Sequence, residues 1–186
     1  MLPTRNARTG VVVCSDGNRP DAPVCYASLE RSDDLDLHIE LVRASRDHDH
    51  ALALNRGMAR VLACGCEFVW LLDADVVIPP PALTRLRAHL SAFPDCGIVG
   101  SRVVAQMPAP EIWTDSVAPR SIDVDVVSAA SMLVRRSMID DIGLLPLQDG
   151  PLGGIARWCR VAQRAGWRVM LDQSATVALS QRLATS

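Results

Sequence analysis

FVWLLDADVVIPPP, residues 68–81, is the stretch that decides the fold class of this 186-residue chain. An apolar run of the length of one buried strand ends in two aspartates, Asp73 and Asp75, and a helix opened by Pro79 follows. A buried strand that stops at this point places both carboxylates at the carboxyl edge of a sheet, where open α/β sheets bind their ligands. Carboxylate oxygens suit Mg²⁺ or Mn²⁺ held together with substrate phosphates. The segment therefore predicts chemistry on a nucleotide-linked substrate.

The composition is that of one ordinary globular domain, since 49% of the residues are hydrophobic and suffice for a sizeable core. A net charge of −2 does not favour nucleic acid as a partner. No apolar run is long enough for a transmembrane segment, and the N-terminus lacks the apolar core of a signal peptide. We therefore expect a cytoplasmic protein.

The sequence contains no lysine, and this excludes several classes of enzyme. A pyridoxal enzyme or a lysine-type aldolase needs a Schiff-base lysine. P-loop ATPases and protein kinases also depend on a lysine that this chain lacks. The six cysteines form no Cys-x-x-Cys pair, so we expect reduced thiols rather than a zinc ribbon or a thioredoxin-like motif.

Alternating strand and helix signals in the first half predict a parallel sheet. The predicted strands are Gly10–Ser15, Leu35–Val42, Phe68–Leu72 and Gly97–Val104, with helices after Pro20, before Gly65 and over Pro79–Phe93. The second half is more mixed. There we expect a loop over Ala105–Pro119, one or two strands in Ile122–Val134, helices over Arg135–Ile142 and Ile155–Ala165, a loop over Leu144–Gly154, and short strands at Trp167–Leu171 and Ala175–Leu179. The fold class is α/β, a single domain with a mostly parallel mixed sheet flanked by helices.

Several short motifs follow one another in a fixed order. They are Asn18-Arg19-Pro20 after the strand Val11-Val12-Val13, Asn55-Arg56-Gly57 ahead of Leu72-Asp73-Ala74-Asp75, the stretch Ser131–Ser137 with Ile142-Gly143-Leu144, and Ala165-Gly166-Trp167-Arg168-Val169. In this order they resemble the family-2 inverting glycosyltransferases, which have the Rossmann-like GT-A fold. The resemblance covers nearly the whole chain.

This resemblance implies one nucleotide-sugar-binding domain over residues 1–186, with a donor-binding half at 1–104 and an acceptor-side half at 105–186. It implies a nucleotide-diphosphate sugar such as a UDP- or dTDP-sugar, Mn²⁺ or Mg²⁺ as cofactor, and transfer to an acceptor hydroxyl with inversion. Asp75 would bind the metal, and Asp73 the metal and the donor. The further expected substrate-binding residues are Ser15, Asp16, Asn18, Arg19, Asn55, Gly57, Trp113 and Arg135.

The chain departs from the family pattern at two positions. The stretch Gly153–Arg160 has no acid where relatives carry a Glu-Asp or similar pair, one of which is the general base. Leu179 stands where relatives often have a histidine that completes the metal site. General-base catalysis is worth about 10²–10⁴-fold in rate, so a transferase needs a substitute for the missing acid. Asp149 is the nearest substitute in the sequence. The alternative is that Asp149 is an ordinary turn aspartate.

These departures keep other interpretations open. One alternative is a degenerate GT-A domain that binds a nucleotide-sugar or a partner protein without transferring a sugar. A second alternative is a nucleotidyltransferase. A homodimer is possible. At the residue level, Asp47-His48-Asp49-His50 fits a helix cap as well as a ligand cluster, and Arg135 fits a solvated helix start as well as a phosphate contact. Trp113 fits burial under its loop as well as stacking on a sugar or base. Asp123 and Asp125 fit the polar face of a strand, and Trp158 fits the core.

Overall fold

The computed structural model describes residues 8–16, 22–33, 37–44, 50–105, 121–147 and 150–180. The strands in these ranges are β1 (Thr9–Asp16), β2 (Leu37–Ala44), β3 (Phe68–Asp73), β4 (Val76–Val77), β5 (Cys96–Val104), β6 (Ser121–Asp123), β7 (Ser131–Arg135) and β8 (Arg168–Leu179). The helices are α1 (Ala22–Leu29), α2 (His50–Ala63), α3 (Ala82–Ala92), α4 (Arg136–Ile142) and α5 (Gly150–Arg164).

All the described strands belong to one mixed sheet in the order β2-β1-β3-β7-β5-β8-β4, with β6 paired to β8 as well. Strands β1, β2, β3, β5 and β8 run in one direction, because β7 is antiparallel to both β3 and β5. Most strands are therefore parallel in direction, which confirms the predicted α/β class with a mostly parallel mixed sheet.

Helices cover both faces of the sheet, and the alternation of side chains along the strands divides the core in two. On β1, Val12 faces the core under α2, α4 and α5, whereas Val11 and Val13 face the core under α1 and α3. Trp70 and Leu71 on β3 are likewise fully buried on opposite faces. Because both faces are covered, the central strands read as continuous apolar runs.

The register of β1 against β3 fixes which residues share the carboxyl edge. Cys14 lies opposite Asp73, so Ser15 and Asp16 reach the same edge as the end of β3. The ends of β1 and β3 therefore converge at this edge of the sheet.

Several boundaries in the second half differ from the sequence prediction. Helix α5 begins at Gly150, within the stretch expected to be a loop, because proline is tolerated in the first turn of a helix. The two expected final strands form one strand, β8, which pairs with β5 through a register shift between Ser101 and Arg102. The two-residue strand β4 carried no sequence signal. Most of the expected loop at 105–119 lies outside the described residues.

Candidate functional site

The Asp73-Ala74-Asp75 turn lies at the carboxyl edge of the sheet, between the ends of β1 and β8. The amide of Ala74 donates a hydrogen bond to the carbonyl of Cys14 at 2.9 Å, and the amide of Ser180 donates to the carbonyl of Asp75 at 2.6 Å. The Asp73 carboxylate is 36% exposed, so a ligand at this edge can reach it. The backbone contacts on either side hold the turn in place.

Both carboxylates act on the same buried thiol of α1. Burial raises the pKa of Cys25 to about 12, and the charges of Asp73 and Asp75 contribute in the same direction. The two aspartates are therefore near enough to share one local field, and Cys25 stays a protonated, inert side chain beneath them.

His50, the first residue of α2, reaches the same site. Its Nε2 lies 3.8 Å from Oδ1 of Asp73. The interaction with Asp73, followed by that with Cys14, raises the pKa of His50 to about 10, so the imidazole is protonated at neutral pH. In the sequence, His50 stands out only as a member of the Asp47–His50 cluster at a helix start, and that cluster is the one signal that points to it. Residues 45–49 lie outside the described ranges.

Leu179 lies beside the site but brings no ligand atom. It pairs with Val76, the residue after Asp75, and its side chain is exposed. The position that the resemblance associates with a metal-binding histidine thus lies beside the Asp73-Ala74-Asp75 turn, and an aliphatic side chain occupies it.

The donor atoms at this edge fit a divalent cation that arrives with a phosphate ligand. In the described part of the chain, no three His, Cys, Asp or Glu residues are grouped so as to hold a metal by themselves. Mg²⁺ is, however, commonly bound by one or two carboxylates together with substrate phosphates and waters. Asp73 and Asp75 satisfy that requirement.

Asn55 contacts a loop rather than the edge of the sheet. Its Nδ2 donates to the carbonyl of Leu145 at 2.8 Å, and its Oδ1 accepts from the amide of Leu145 at 3.0 Å. The amide is thereby engaged on both sides. This corrects its assignment as a substrate-binding residue: Asn55 ties α2 to the segment that precedes α5.

Gly57 is buried between α2 and the sheet. A Cβ atom at this position would lie 2.4 Å from Cγ1 of Val12 and 3.1 Å from Cγ1 of Val42. The glycine therefore permits close helix–sheet packing, and its predicted contact with substrate is corrected to a packing role.

Arg135 lies at the opposite end of the sheet from Asp73, because β7 is antiparallel to β3 and Arg135 pairs with Phe68. Its guanidinium donates hydrogen bonds to the carbonyls of Leu90, Phe93 and Cys96 around the end of α3. It also lies over the ring of Phe68. The predicted phosphate contact is thus corrected: Arg135 caps a helix far from the candidate donor site.

Of the other predicted residues, Ser15 is buried at the end of β1, and its hydroxyl donates to the carbonyl of Val42 at 3.5 Å. The backbone of Asp16 ends β1, but its side chain lies outside the described atoms, as do residues Asn18, Arg19, Trp113 and Asp149. The interpretation of Trp158 as core holds. Asp123, the last residue of β6, is exposed and accepts two hydrogen bonds at 2.8 Å from Arg168, but Asp125 lies beyond β6 and so is not on the polar face of that strand.

The sequence matches the family model described as glycosyl transferase family 2 over residues 6–162, well over half of the chain. The chain belongs to glycosyl transferase family 2. No curated protein matches the sequence.

Solved structures with the same fold are similar at low sequence identity. A mannosyltransferase, PcManGT from Pyrobaculum calidifontis in complex with GDP-Man and Mn²⁺, has a TM-score of 0.68 and 15% identity, with 98% of this chain aligned to 59% of that one. TarS 1–349 from S. aureus has a TM-score of 0.66 and 13% identity, with 93% aligned to 60%. GalNAc-T7 with UDP, GalNAc and Mn²⁺ has a TM-score of 0.71 and 10% identity, with 95% aligned to 44%.

These similarities establish a GT-A fold for this family-2 chain. The chain spans between 44% and 60% of the length of the three structures. None of the helices in its described ranges is long and apolar enough to cross a membrane.

Proposed function

We propose that this family-2 domain transfers a sugar from a nucleoside-diphosphate sugar to an acceptor hydroxyl, with inversion at the anomeric carbon. The observation that carries the proposal is the turn Asp73-Ala74-Asp75 at the carboxyl edge of the sheet, beside the end of β1. The Asp73 carboxylate is partly exposed at this edge, where a ligand can reach it, and family-2 membership gives that ligand its class. Residues 1–104 form the donor-binding half in this proposal, and residues 105–186 the acceptor-side half.

The donor lies across the ends of β1 and β3. Ser15 and Asp16 are at the nucleotide side, while Asp73 and Asp75 face the diphosphate. Asp75, with Asp73, would hold Mn²⁺ or Mg²⁺, which neutralises charge on the departing diphosphate when bound. The presence of Mn²⁺ in the PcManGT and GalNAc-T7 structures supports this choice of cofactor.

The acceptor side is formed by the segment before α5. A Cβ atom at Gly154, in the first turns of α5, would lie 4.0 Å from the Cβ of Ala51, the residue after His50, so α5 begins near the start of α2. Asn55 holds Leu145 in the same segment. Asp149 immediately precedes α5 and is the proposed general base. It would take the hydroxyl proton as the acceptor oxygen bonds to the anomeric carbon and the bond to the β-phosphate breaks.

A binding screen tests the donor half of the proposal. UDP-, GDP-, dTDP- and CDP-sugars are added with and without Mn²⁺ to the wild type and to the variants Asp75→Ala and Asp140→Ala, and melting temperatures are measured. We expect one nucleotide-sugar, with Mn²⁺, to raise the melting temperature of the wild type by about 5–10 °C at a concentration 100-fold above its dissociation constant. Asp75→Ala should lose the shift.

Asp140→Ala is the matched control, because Asp140 is an exposed carboxylate on α4 at the other end of the sheet. It should keep the full shift. An Asp75→Ala protein with an undiminished metal-dependent shift would remove the basis of the proposal.

The second candidate function is donor binding without transfer. Leu179 beside Asp75 and the lack of an acid in Gly153–Arg160 favour it. The release of nucleoside diphosphate distinguishes a transferase from a binding domain. Release that depends on an acceptor identifies a transferase. Loss of that release in Asp149→Asn identifies Asp149 as the general base. A donor that binds but is never turned over with any acceptor supports the binding domain.

A further inference from the structure

The carboxylate of Asp73 has a side-chain partner on a neighbouring element. His50 is the first residue of α2, and its imidazole is largely buried, with 18% of its surface exposed. Its Nε2 lies 3.8 Å from Oδ1 of Asp73, next to Cys14 at the end of β1. The start of α2 and the ends of β1 and β3 therefore meet at this pair.

Within the described ranges, His50 is the one side chain that forms an ion pair or hydrogen bond with Asp73. Asp73 comes at the end of its strand and its side chain is 36% exposed, so neighbouring atoms cover only part of it. A ligand-binding carboxylate must be held within about 0.5 Å of its productive position, which requires a supporting partner. The imidazole, 3.8 Å from Oδ1, supplies that support as an ion-pair partner and leaves the other oxygen for the ligand.

We propose that His50 is a positioning residue that holds the Asp73 carboxylate in the orientation that binds the donor. This role rests on the proposed function. It does not require His50 to touch the donor, and it assigns a purpose to a histidine outside the family motifs found in the sequence. The pair also couples the start of α2 to the donor-binding edge.

Three replacements of His50, which differ in side-chain length and in whether they carry an N–H donor, test the positioning role. His50→Gln keeps an N–H donor that can reach Asp73, His50→Asn keeps a donor that is too short, and His50→Leu keeps the bulk without a donor. Affinities are measured by calorimetry with UDP-, GDP-, dTDP- and CDP-sugars in the presence of Mn²⁺. We expect His50→Leu and His50→Asn to bind the donor about 10-fold more weakly, and His50→Gln to stay within about threefold of the wild type.

His38→Leu is the matched control. His38 also pairs with a carboxylate, that of Glu40 at 3.3 Å, but it lies opposite Gly10 near the other end of the sheet. This variant should bind the donor as the wild type does. Donor affinity that is kept in His50→Gln but lost in His50→Asn would show a positioning role. A general loss of structure would not give this pattern, because asparagine is well tolerated at the start of a helix.

A double-mutant cycle without ligand tests the contact itself. The unfolding free energies of the wild type, His50→Leu, Asp73→Asn and the double variant are measured with urea. We expect His50→Leu to cost less stability when Asp73 is already replaced. Additive effects would overturn the proposed contact.

The outcomes also distinguish this role from the proposed function. A wild type that binds donor, together with a His50→Leu variant that binds equally well, overturns the role of His50 alone. A wild type that binds none of the sugars overturns the proposed function, and the role of His50 falls with it.

Discussion

Asp73, His50 and Gly57 illustrate how the neighbours of a residue determine its role. Asp73 follows a buried strand and was recognised from local sequence alone, whereas His50 acquires its partner only when α2 packs beside β3. Gly57 belongs to a motif-like Asn-Arg-Gly sequence, yet its lack of a side chain serves the contact with Val12. A residue type within a motif thus gives a candidate, and the contacts decide between binding and packing.

The packing role of Gly57 predicts a loss of stability on substitution. A Cβ atom at Gly57 would lie 2.4 Å from Cγ1 of Val12, so Gly57→Ala should forfeit about 1–3 kcal/mol of unfolding free energy despite the better helix propensity of alanine. Urea denaturation measures this change. Val12→Ala should be less costly in the Gly57→Ala background than in the wild type. A Gly57→Ala protein more stable than the wild type would contradict the close packing.

Helix termini are the places where single side chains act on whole elements. The carbonyls at the end of α3 have no partner within the helix, and Arg135 from β7 donates hydrogen bonds to Leu90 and Phe93. A cation at a helix C-terminus also complements the helix dipole. The arginine pair at 135–136 was predicted as a helix start, and α4 does begin at Arg136, but the guanidinium of Arg135 stabilises a different helix.

We therefore expect Arg135→Met to lower the unfolding free energy by about 2 kcal/mol, because it removes charged hydrogen-bond donors from partly buried carbonyls. Donor affinity should not change. The control is Arg56→Met, an exposed position on α2 at which little change is expected. The reverse pattern in Arg135→Met, weaker donor binding at full stability, would restore the phosphate contact predicted from the sequence.

At the scale of the whole molecule, the mixed sheet holds a buried polar group between α3, β6 and β8. Nδ1 of His89 lies 2.8 Å from the hydroxyl of Ser121 and 3.7 Å from Oδ2 of Asp172. Asp172 is itself buried and accepts hydrogen bonds from the amide and hydroxyl of Ser174. Burial lowers the pKa of His89, although the nearby charge of Asp172 acts in the opposite direction and that of Arg168 in the same one.

This buried histidine predicts a pH dependence of global stability. The unfolded chain binds a proton at His89 more readily than the folded chain, so the contribution of neutral His89 is complete above about pH 6.5 and is lost as the pH falls towards the lower pKa of the folded state. The stability difference between the wild type and His89→Gln should therefore narrow on acidification. Urea denaturation of both proteins between pH 8 and pH 5 measures this difference in unfolding free energy. A difference that is constant across this range would contradict the prediction.

The sequence by itself determined the order of elements in the first half, the α/β class and the location of Asp73 and Asp75 at the edge of a sheet. It did so because a strand buried on both faces leaves an apolar run, and whatever follows that run must lie at its carboxyl end. The sequence also indicated the fold family, because the motifs that are typical of the family are short and local.

Only the tertiary structure decided which side chains meet. The contact of Asn55 with Leu145 joins residues 90 positions apart, and that of Arg135 with Leu90 joins residues 45 positions apart. The pairing of His50 with Asp73, the insertion of β7 against β3 and the length of β8 also depend on contacts between distant segments. Local propensity carries no information on such contacts, because their energy arises only when the chain packs into one compact sheet with helices on both faces.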